Sequence, residues 1–229
     1  GDYLIAVNDQ ELSSESNIFR AFEYTLDRQT KIKVADNAKG KNAREFVVTP
    51  IATETRLRYL DWVESNLAYV NERTQGRVAY VHVPNTADFG HEMFKRYFYP
   101  QSHKEAIILD ERYNGGGLIA DYYIDILRRP YISHWTMRYG DDLISPRAAI
   151  LGPKVMLADE GAGSGGDLLP WMFKKFKLGP VIGKRTWGGL VGILGFPDLM
   201  DGGRVTAPNL AFWTEAGYRV ENEGVAPDI

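Results

Sequence analysis

The sequence contains no cysteine among its 229 residues. This absence excludes disulfides, thiolate nucleophiles and cysteine-ligated zinc. The four histidines are too scattered to match a metal-ligand motif, and no apolar run approaches the roughly 18 residues needed to span a bilayer. A formal net charge of −3 offers no general attraction to nucleic acid or to an acidic membrane surface. The composition therefore predicts no metal, no cofactor, no nucleic-acid partner and no membrane partner.

The chain does contain enough apolar residues for a sizeable core. They make up 44% of the sequence, and charged residues make up 25%. A globular chain of this length suits one domain of ordinary size and part of another.

The first 50 residues have the pattern of a small β-rich module. A strand is predicted at residues 1–7, and two more at 31–34 and 46–48, with the polar stretch 36–42 linking the last two as a hairpin. Between the first and second of these strands, Ser13 or Ser14 is predicted to cap a helix. Its apolar residues would share one face; they are Ile18, Phe19, Phe22 and Leu26.

An amphipathic helix is predicted next, from Thr53 to about Asn71. Apolar residues recur in it at three- and four-residue steps, which predicts a stripe packed against the core. The stripe consists of Leu57, Leu60, Val63, Leu67 and Val70.

Strands and helices then alternate to the end of the chain, a pattern typical of α/β layers with mostly parallel strands. The predicted strands are 78–83, 106–109, 155–158 and 180–182, and the predicted helices are 89–98, 118–127 and 168–176.

A glycine-rich turn at residues 159–167 joins one of these strands to a helix, and Ser164 lies within it. Small neighbours can leave a serine hydroxyl accessible, and free N–H groups at a helix start can stabilise negative charge. Ser164 is therefore a candidate nucleophile. The local sequence equally allows a helix-capping serine. A dinucleotide-binding fingerprint is disfavoured, because no acidic residue follows between Asp167 and Asp198 to bind the ribose.

A second glycine-rich turn, Gly115-Gly116-Gly117, also follows a strand and precedes a helix. Alone it predicts a flexible turn. Two such turns in one α/β layer could converge, one supplying a nucleophile and the other an oxyanion donor.

Together these segments resemble the tricorn protease family, within the carboxy-terminal processing serine peptidases. The matching pieces occur in family order from end to end. They are residues 1–8, 96–100, 114–117, 161–164 with Gly166 and Asp167, 182–189, 211–213, and 220–225.

The resemblance implies a crotonase-like layered α/β core at 77–229, preceded by part of a PDZ domain at 1–50 and a linking helix at 51–76. It implies a serine peptidase with Ser164 as nucleophile, the Gly117 and Gly165 N–H groups as oxyanion donors, and Glu221 as the acidic end of a relay. By chemistry alone, Glu223 is an equally good acid. Peptide substrates, a homo-oligomer and a cytoplasmic location are also implied, although some relatives are secreted.

The family's general-base histidine and its neighbouring serine lie in a cap region that would precede Gly1. The expectation is an enzyme whose base comes from that upstream cap segment, so that these 229 residues alone would be inactive. None of His82, His91, His103 and His134 falls at the base position; His134 alone lies in a segment expected to line the pocket. The alternative function is a catalytically incomplete, peptide-binding fragment.

The substrate pocket implied by the resemblance includes Gly116 and Trp135. Tricorn proteases have an aspartate, which attracts basic side chains, where this chain has Trp135. An aromatic wall favours apolar or aromatic side chains instead, unless Asp141 or Asp142 restores the charge.

Overall fold

The computed structural model describes all 229 residues, which form two units, residues 1–62 and 63–229. The first unit contains four strands: β1 (Tyr3–Val7), β2 (Gln10–Glu11), β3 (Thr30–Ala35) and β4 (Arg44–Val48). They form one antiparallel sheet in the order β2-β1-β3-β4, and the turn-rich stretch 36–42 joins β3 to β4 as the predicted hairpin.

The helix predicted after Ser13 or Ser14 is much shorter than its apolar spacing suggested. Only α1 (Ile18–Ala21) forms, and the Asn17 side chain, rather than a serine, caps it by accepting from the Phe19 N–H. Ile18, Phe19 and Leu26 are 44%, 82% and 50% exposed, so the predicted apolar face is not buried. The chain leaves the helical path because Tyr24 and Asp27 adopt positive φ, and the Asp27 N–H bonds the Pro50 carbonyl instead of a helical partner.

The long helix α2 (Thr55–Arg73) begins in the first unit and ends in the second. Its predicted stripe is only partly a core face. Val63 is fully buried, but Leu57 is 59% exposed, and the other three members are half-buried. The prediction that the whole stripe packs in a core is therefore wrong at Leu57.

After α2, the elements of the second unit are, in chain order, β5 (Val78–His82), α3 (Asp88–Phe98), β6 (Ala106–Asp110), α4 (Ala120–Leu127), β7 (Ser133–Trp135), β8 (Leu143–Ser145), β9 (Lys154–Ala158), α5 (Gly165–Lys175), β10 (Val181–Gly183), β11 (Trp213–Thr214) and β12 (Gly217–Tyr218). The unit is built around the predicted parallel sheet, in the order β10-β9-β6-β5. Helices α3, α4 and α5 alternate with these strands, and two short antiparallel hairpins, β7–β8 and β11–β12, complete the unit.

The core of this unit lies between the parallel sheet and its helices. Fully buried strand residues such as Leu109 and Met156 and helix residues such as Phe94, Tyr123 and Phe173 contribute to it. The carboxyl ends of β6 and β9 each lead into a glycine-rich turn, and because neighbouring parallel strands end at one edge, both turns start side by side. None of the helices combines the length and apolar character needed to cross a bilayer.

We expect the central strand β6 to be sensitive to cavity formation. Leu109→Ala should lower the free energy of unfolding by about 2–5 kcal/mol, because it removes fully buried methyl groups from a packed core. Leu118→Ala is a matched control at a side chain that is 73% exposed, and it should change stability by less than about 0.5 kcal/mol. Chemical denaturation measures both. Equal losses would contradict this account of the core.

Candidate active site

Ser164 stands at the junction of β9 and α5, at the N-cap position of the helix. Its φ of 57° and ψ of −116° place a non-glycine residue in a sparsely populated region, which costs roughly 1–3 kcal/mol and persists only where the surroundings enforce it. Its N–H donates to Asp167 Oδ2 at 2.8 Å. The residue is half-buried, and no other side chain forms a hydrogen bond with its hydroxyl. Ser164 therefore occupies the helix-capping position that the local sequence allows, in a capping box with Asp167, and it is not fully enclosed.

The two glycine-rich turns meet at Ser164. A Cβ built on Gly116 would lie 2.7 Å from the Ser164 Cβ, and one built on Gly117 would lie 2.1 Å from the Thr86 carbonyl oxygen. Both glycines also have positive φ. Only glycine therefore permits this approach, and the convergence considered from the sequence is present in the fold.

Two residues link the turns. The Asn114 backbone carbonyl accepts from the Gly163 N–H at 3.0 Å, and its side-chain Oδ1 accepts from the Gly116 N–H of its own turn at 2.9 Å. Asp159 Oδ1 accepts from the Tyr113 N–H of the other turn at 2.9 Å and from the Gly161 N–H of its own turn at 3.0 Å. Two hydrogen bonds therefore cross-link the turn at 113–117 with the turn at 159–164, just before Ser164.

The N–H groups of Gly117 and Gly165 form no hydrogen bond within the protein. They are close to each other, because a Cβ on Gly165 would lie 2.8 Å from the Gly117 nitrogen and 2.0 Å from Thr86 Oγ1. Gly165 is also the first residue of α5, where backbone donors lack helical partners. Two free donors beside a serine can stabilise a developing oxyanion.

Asp167, in the first turn of α5, is fully buried and accepts hydrogen bonds through both carboxylate oxygens. Oδ1 accepts from the Thr186 hydroxyl at 2.5 Å and the Gly188 N–H at 2.7 Å. Oδ2 accepts from the N–H groups of Ser164 and Gly189, at 2.8 and 3.1 Å. Asp167 therefore joins the Ser164 turn to the segment 186–189.

Glu221 and Glu223, equivalent by sequence chemistry, occupy different environments. Glu221 is half-buried, and its Oε2 accepts from the N–H groups of Leu190 and Val191, at 2.7 and 2.6 Å. Glu223 is exposed. The Glu221 contacts continue directly from those of Asp167, so the two carboxylates bind four successive amides of one segment.

The histidines do not join Ser164. His82 is buried in β5 with Nε2 at 2.9 Å from the Arg112 carbonyl oxygen, and burial lowers its pKa. His91 packs edge-on against Tyr122. His134 is exposed on β7, with Nδ1 at 2.8 Å from the Tyr131 hydroxyl. Neither these nor His103 hydrogen-bonds the Ser164 hydroxyl.

Trp135, predicted to line the pocket, lies on the β7–β8 hairpin and is 66% exposed. It shares no hydrogen bond or ring contact with the other candidate residues. Asp141 and Asp142 lie in the turn of the same hairpin and are exposed. Gly116, the other predicted pocket residue, lies directly against Ser164.

A second buried carboxyl group lies beneath the turns. Glu111 is fully buried; Asn114 Nδ2 approaches its Oε2 at 3.4 Å, while its Oε1 has no partner. Burial raises the pKa of Glu111 well above its usual range, and the negative charges of Asp167, Asp159 and Asp110 raise it further. Both effects favour the protonated, neutral form of Glu111.

Sequence reasoning missed the roles of Asp167, Asn114 and Glu111. For Asp167 a local signal existed, since an acidic residue three positions after a serine at a helix start fits the capping-box pattern. Asn114 and Glu111 offered no such signal, because their contacts depend on the two turns meeting. No group of three or more histidine, aspartate or glutamate side chains is arranged to hold a metal ion.

Comparison with known proteins gives one consistent result. The model of peptidase family S41 matches residues 77–229. The chain is 36% identical over 229 residues to tricorn protease of Thermoplasma acidophilum, covering 99% of this chain and 21% of the relative. It is 36% identical over 231 residues to tricorn protease homolog 1 of Streptomyces coelicolor, covering 100% of this chain and 22% of that protein.

A crystal structure of tricorn protease superposes over 100% of this chain and 22% of its own, with a TM-score of 0.91 and 35% identity. The chain therefore spans about a fifth of the length of these relatives.

The buried Glu111 predicts a specific pH dependence of stability. Its folded-state pKa is raised above the unfolded value, so the folded state binds more protons. The contribution of this group is fully present below about pH 4.5 and is lost as the pH rises toward the folded-state pKa. Glutamine does not ionise, so Glu111→Gln removes this pH-dependent loss of stability, and its amide oxygen can still accept from Asn114. Its melting temperature relative to wild type should therefore rise as the pH increases from about 4.5 toward neutrality.

Differential scanning calorimetry across this pH range measures the difference between the two proteins. Glu223→Gln, at an exposed carboxylate, controls for the loss of one charge. A melting-temperature difference for Glu111→Gln that stays constant with pH would show that Glu111 is ionised in the folded protein.

Proposed function

Because this chain belongs to peptidase family S41, we propose that the polypeptide containing it is a serine endopeptidase of the tricorn type, with Ser164 as nucleophile. The observation that carries this proposal is the meeting of the two glycine-rich turns. It leaves two free N–H donors beside a serine hydroxyl that no side chain engages.

In the first step, Ser164 Oγ attacks the carbonyl carbon of a peptide bond while a histidine takes the hydroxyl proton. Negative charge then develops on the carbonyl oxygen, where the N–H groups of Gly117 and Gly165 would donate to it. Collapse of this intermediate breaks the C–N bond, and the histidine returns the proton to the departing amine. Water then hydrolyses the acyl-enzyme by the same route.

Glu221 is the preferred acid of the relay. Two backbone amides fix its Oε2 and leave Oε1 without a partner in the chain. A carboxylate held in this way can orient and polarise a neighbouring hydroxyl or imidazole, as the acid does in Ser-His-Asp systems. The resemblance routes this relay through a second serine. The exposed side chain of Glu223 has no comparable anchoring.

The general base is proposed to lie outside these 229 residues, in an upstream cap segment of the same polypeptide or in another chain. Support comes from the absence of any histidine bonded to Ser164 and from the much greater length of the relatives. Without its base, a serine peptidase typically loses about 10²- to 10⁴-fold in rate. These residues alone would then be inactive.

For specificity, we propose a pocket that includes Gly116 and Trp135. Its aromatic wall favours apolar or aromatic side chains over lysine and arginine. Asp141 and Asp142 lie near Trp135 in the same hairpin, so they are the groups that could reverse this preference.

We also propose a domain organisation for these residues. The antiparallel sheet of residues 1–50 would be the later part of a PDZ domain, residues 51–76 a linking helix, and residues 77–229 a crotonase-like core. A homo-oligomer and a cytoplasmic location stay predictions. If no serine is activated, the alternative is a peptide-binding module that captures extended segments by strand addition.

Fluorophosphonate labelling tests the nucleophile. The full polypeptide should be labelled, and Ser164→Ala in that polypeptide should abolish labelling and peptide hydrolysis because the attacking oxygen is gone. Residues 1–229 alone should label at least about 10²-fold more slowly, since the base is missing. Rapid labelling of the short chain would point to an internal base such as His134. A folded full polypeptide without labelling would favour peptide binding.

Neutralising each glutamate separates the two candidate acids. In the full polypeptide, Glu221→Gln should lower kcat by about 10³- to 10⁴-fold with little change in KM, because its role is confined to the transition state. Glutamine can still accept from the two amides. The matched variant Glu223→Gln should stay within about twofold of wild type. Steady-state kinetics on a fluorogenic peptide measure both, and a larger effect at Glu223 would reverse the assignment.

A further inference from the structure

Four successive backbone amides, at residues 188–191, donate to two carboxylates. Gly188 and Gly189 donate to Asp167, and Leu190 and Val191 donate to Glu221. We call residues 186–191 the bridging segment. Asp167 comes from the helix that follows Ser164, whereas Glu221 comes from the carboxy-terminal part of the chain. The bridging segment is therefore hydrogen-bonded on one side to the first turn of the helix that follows the proposed nucleophile, and on the other side to the proposed relay acid.

A second connection runs through Thr186. Its hydroxyl donates to Asp167 Oδ1 and accepts from the Val225 N–H at 2.8 Å. The Thr186 N–H in turn donates to the Val225 carbonyl at 3.1 Å. Val225 lies four residues after Glu221, so Asp167 is tied to both ends of this carboxy-terminal turn.

No lysine or arginine neutralises Asp167. Its charge is balanced by three backbone N–H groups, one hydroxyl and the start of α5, where the helix dipole favours a negative charge. Every bond made by its two oxygens thus fixes the backbone at Ser164 or the bridging segment. A surface ion pair would leave these positions free to move.

We propose that Asp167 is a positioning residue, which fixes the strained backbone of Ser164 and sets its position relative to Glu221 through the bridging segment. This inference rests on the proposed peptidase function. It extends that function, because the Asp167 carboxylate bonds backbone N–H groups and the Thr186 hydroxyl, not the Ser164 hydroxyl or Glu221.

Aligned catalytic groups account for a large share of enzymatic rate, and small misplacements are costly. Asp167→Asn keeps the shape of the side chain but removes its charge. It also replaces one accepting oxygen with an NH2 group, which cannot accept from the N–H groups around it. In the full polypeptide it should lower kcat by about 10²-fold, with KM within about threefold of wild type.

The decisive readout is turnover per active site, counted by fluorophosphonate titration. A merely structural acid would lower the fraction of protein that can be labelled and leave turnover per labelled site unchanged. Asp167→Glu restores the charge but moves the carboxylate by one methylene, so it should regain thermal stability without regaining kcat. Asp228→Asn is the control, because Asp228 also accepts a backbone N–H, from Val181, and it pairs with Lys174 in the last turn of α5, at the opposite end of that helix from Ser164. It should leave turnover unchanged.

Thr186→Val covers the case in which Asp167→Asn does not fold. It removes one hydroxyl and keeps the side-chain shape, and it should lower turnover per site by about tenfold. The inference is overturned if turnover per site in Asp167→Asn stays within about threefold of wild type. If Asp167→Asn does not fold, the same result in Thr186→Val overturns it. Either result leaves the peptidase function intact.

Amide hydrogen exchange decides the structural part independently of activity. Asp167→Asn, or Thr186→Val in its place, should accelerate exchange at all four amides of residues 188–191, including the two that bond Glu221. Acceleration confined to Gly188 and Gly189 would show that the carboxylates are not coupled. If the wild-type protein neither labels nor hydrolyses peptides, the proposed function fails, and this exchange pattern still tests the coupling.

Discussion

The close approach of two glycine-rich turns is the constraint on which the rest of the site depends. Asn114 binds both turns, and the space around Ser164 is so limited that a Cβ at Gly116 would lie 2.7 Å from the serine Cβ. The parallel pairing of β6 with β9 brings the turns together, because both strands end at the same edge of the sheet. Sheet topology therefore determines where the serine and the free amides meet.

The parts of this arrangement that could be predicted are those encoded locally. Strand and helix alternation gave the parallel sheet, with bounds within a few residues of those observed, and the strand-to-helix position of Ser164 followed from one short stretch of sequence. The failures have a physical cause. Apolar spacing predicted a helix around Ile18, but positive φ at Tyr24 and a long-range bond from Asp27 to Pro50 divert the chain. Periodicity alone does not register such contacts.

The polar framework of the site could not be read from the sequence for the same reason. Asp167 bonds residues 19 to 22 positions away, and Asp159 bonds Tyr113 across 46 positions. The local sequence offered a capping-box pattern for Asp167. It could not show that the other carboxylate oxygen would accept from Thr186 and Gly188, or that the Thr186 hydroxyl would accept from the Val225 N–H. The choice between Glu221 and Glu223 likewise depends on a long-range contact, because only the folded chain brings Glu221 to the N–H groups of residues 190 and 191.

Asp167 and Glu111, two fully buried acids of the site, differ in how many hydrogen bonds the protein offers them. Asp167 accepts four hydrogen bonds, whereas Glu111 has one long contact from Asn114 and one oxygen without a partner. Desolvation, together with the negative charges of neighbouring acids, raises the pKa of Glu111 and so favours its protonated form. A proton on Glu111 would reduce the repulsion between the two side chains. The donors around Asp167 belong to Ser164 and to the segment that leads to Glu221, so the bonds that compensate the burial of this carboxylate are the same bonds that connect the parts of the proposed site.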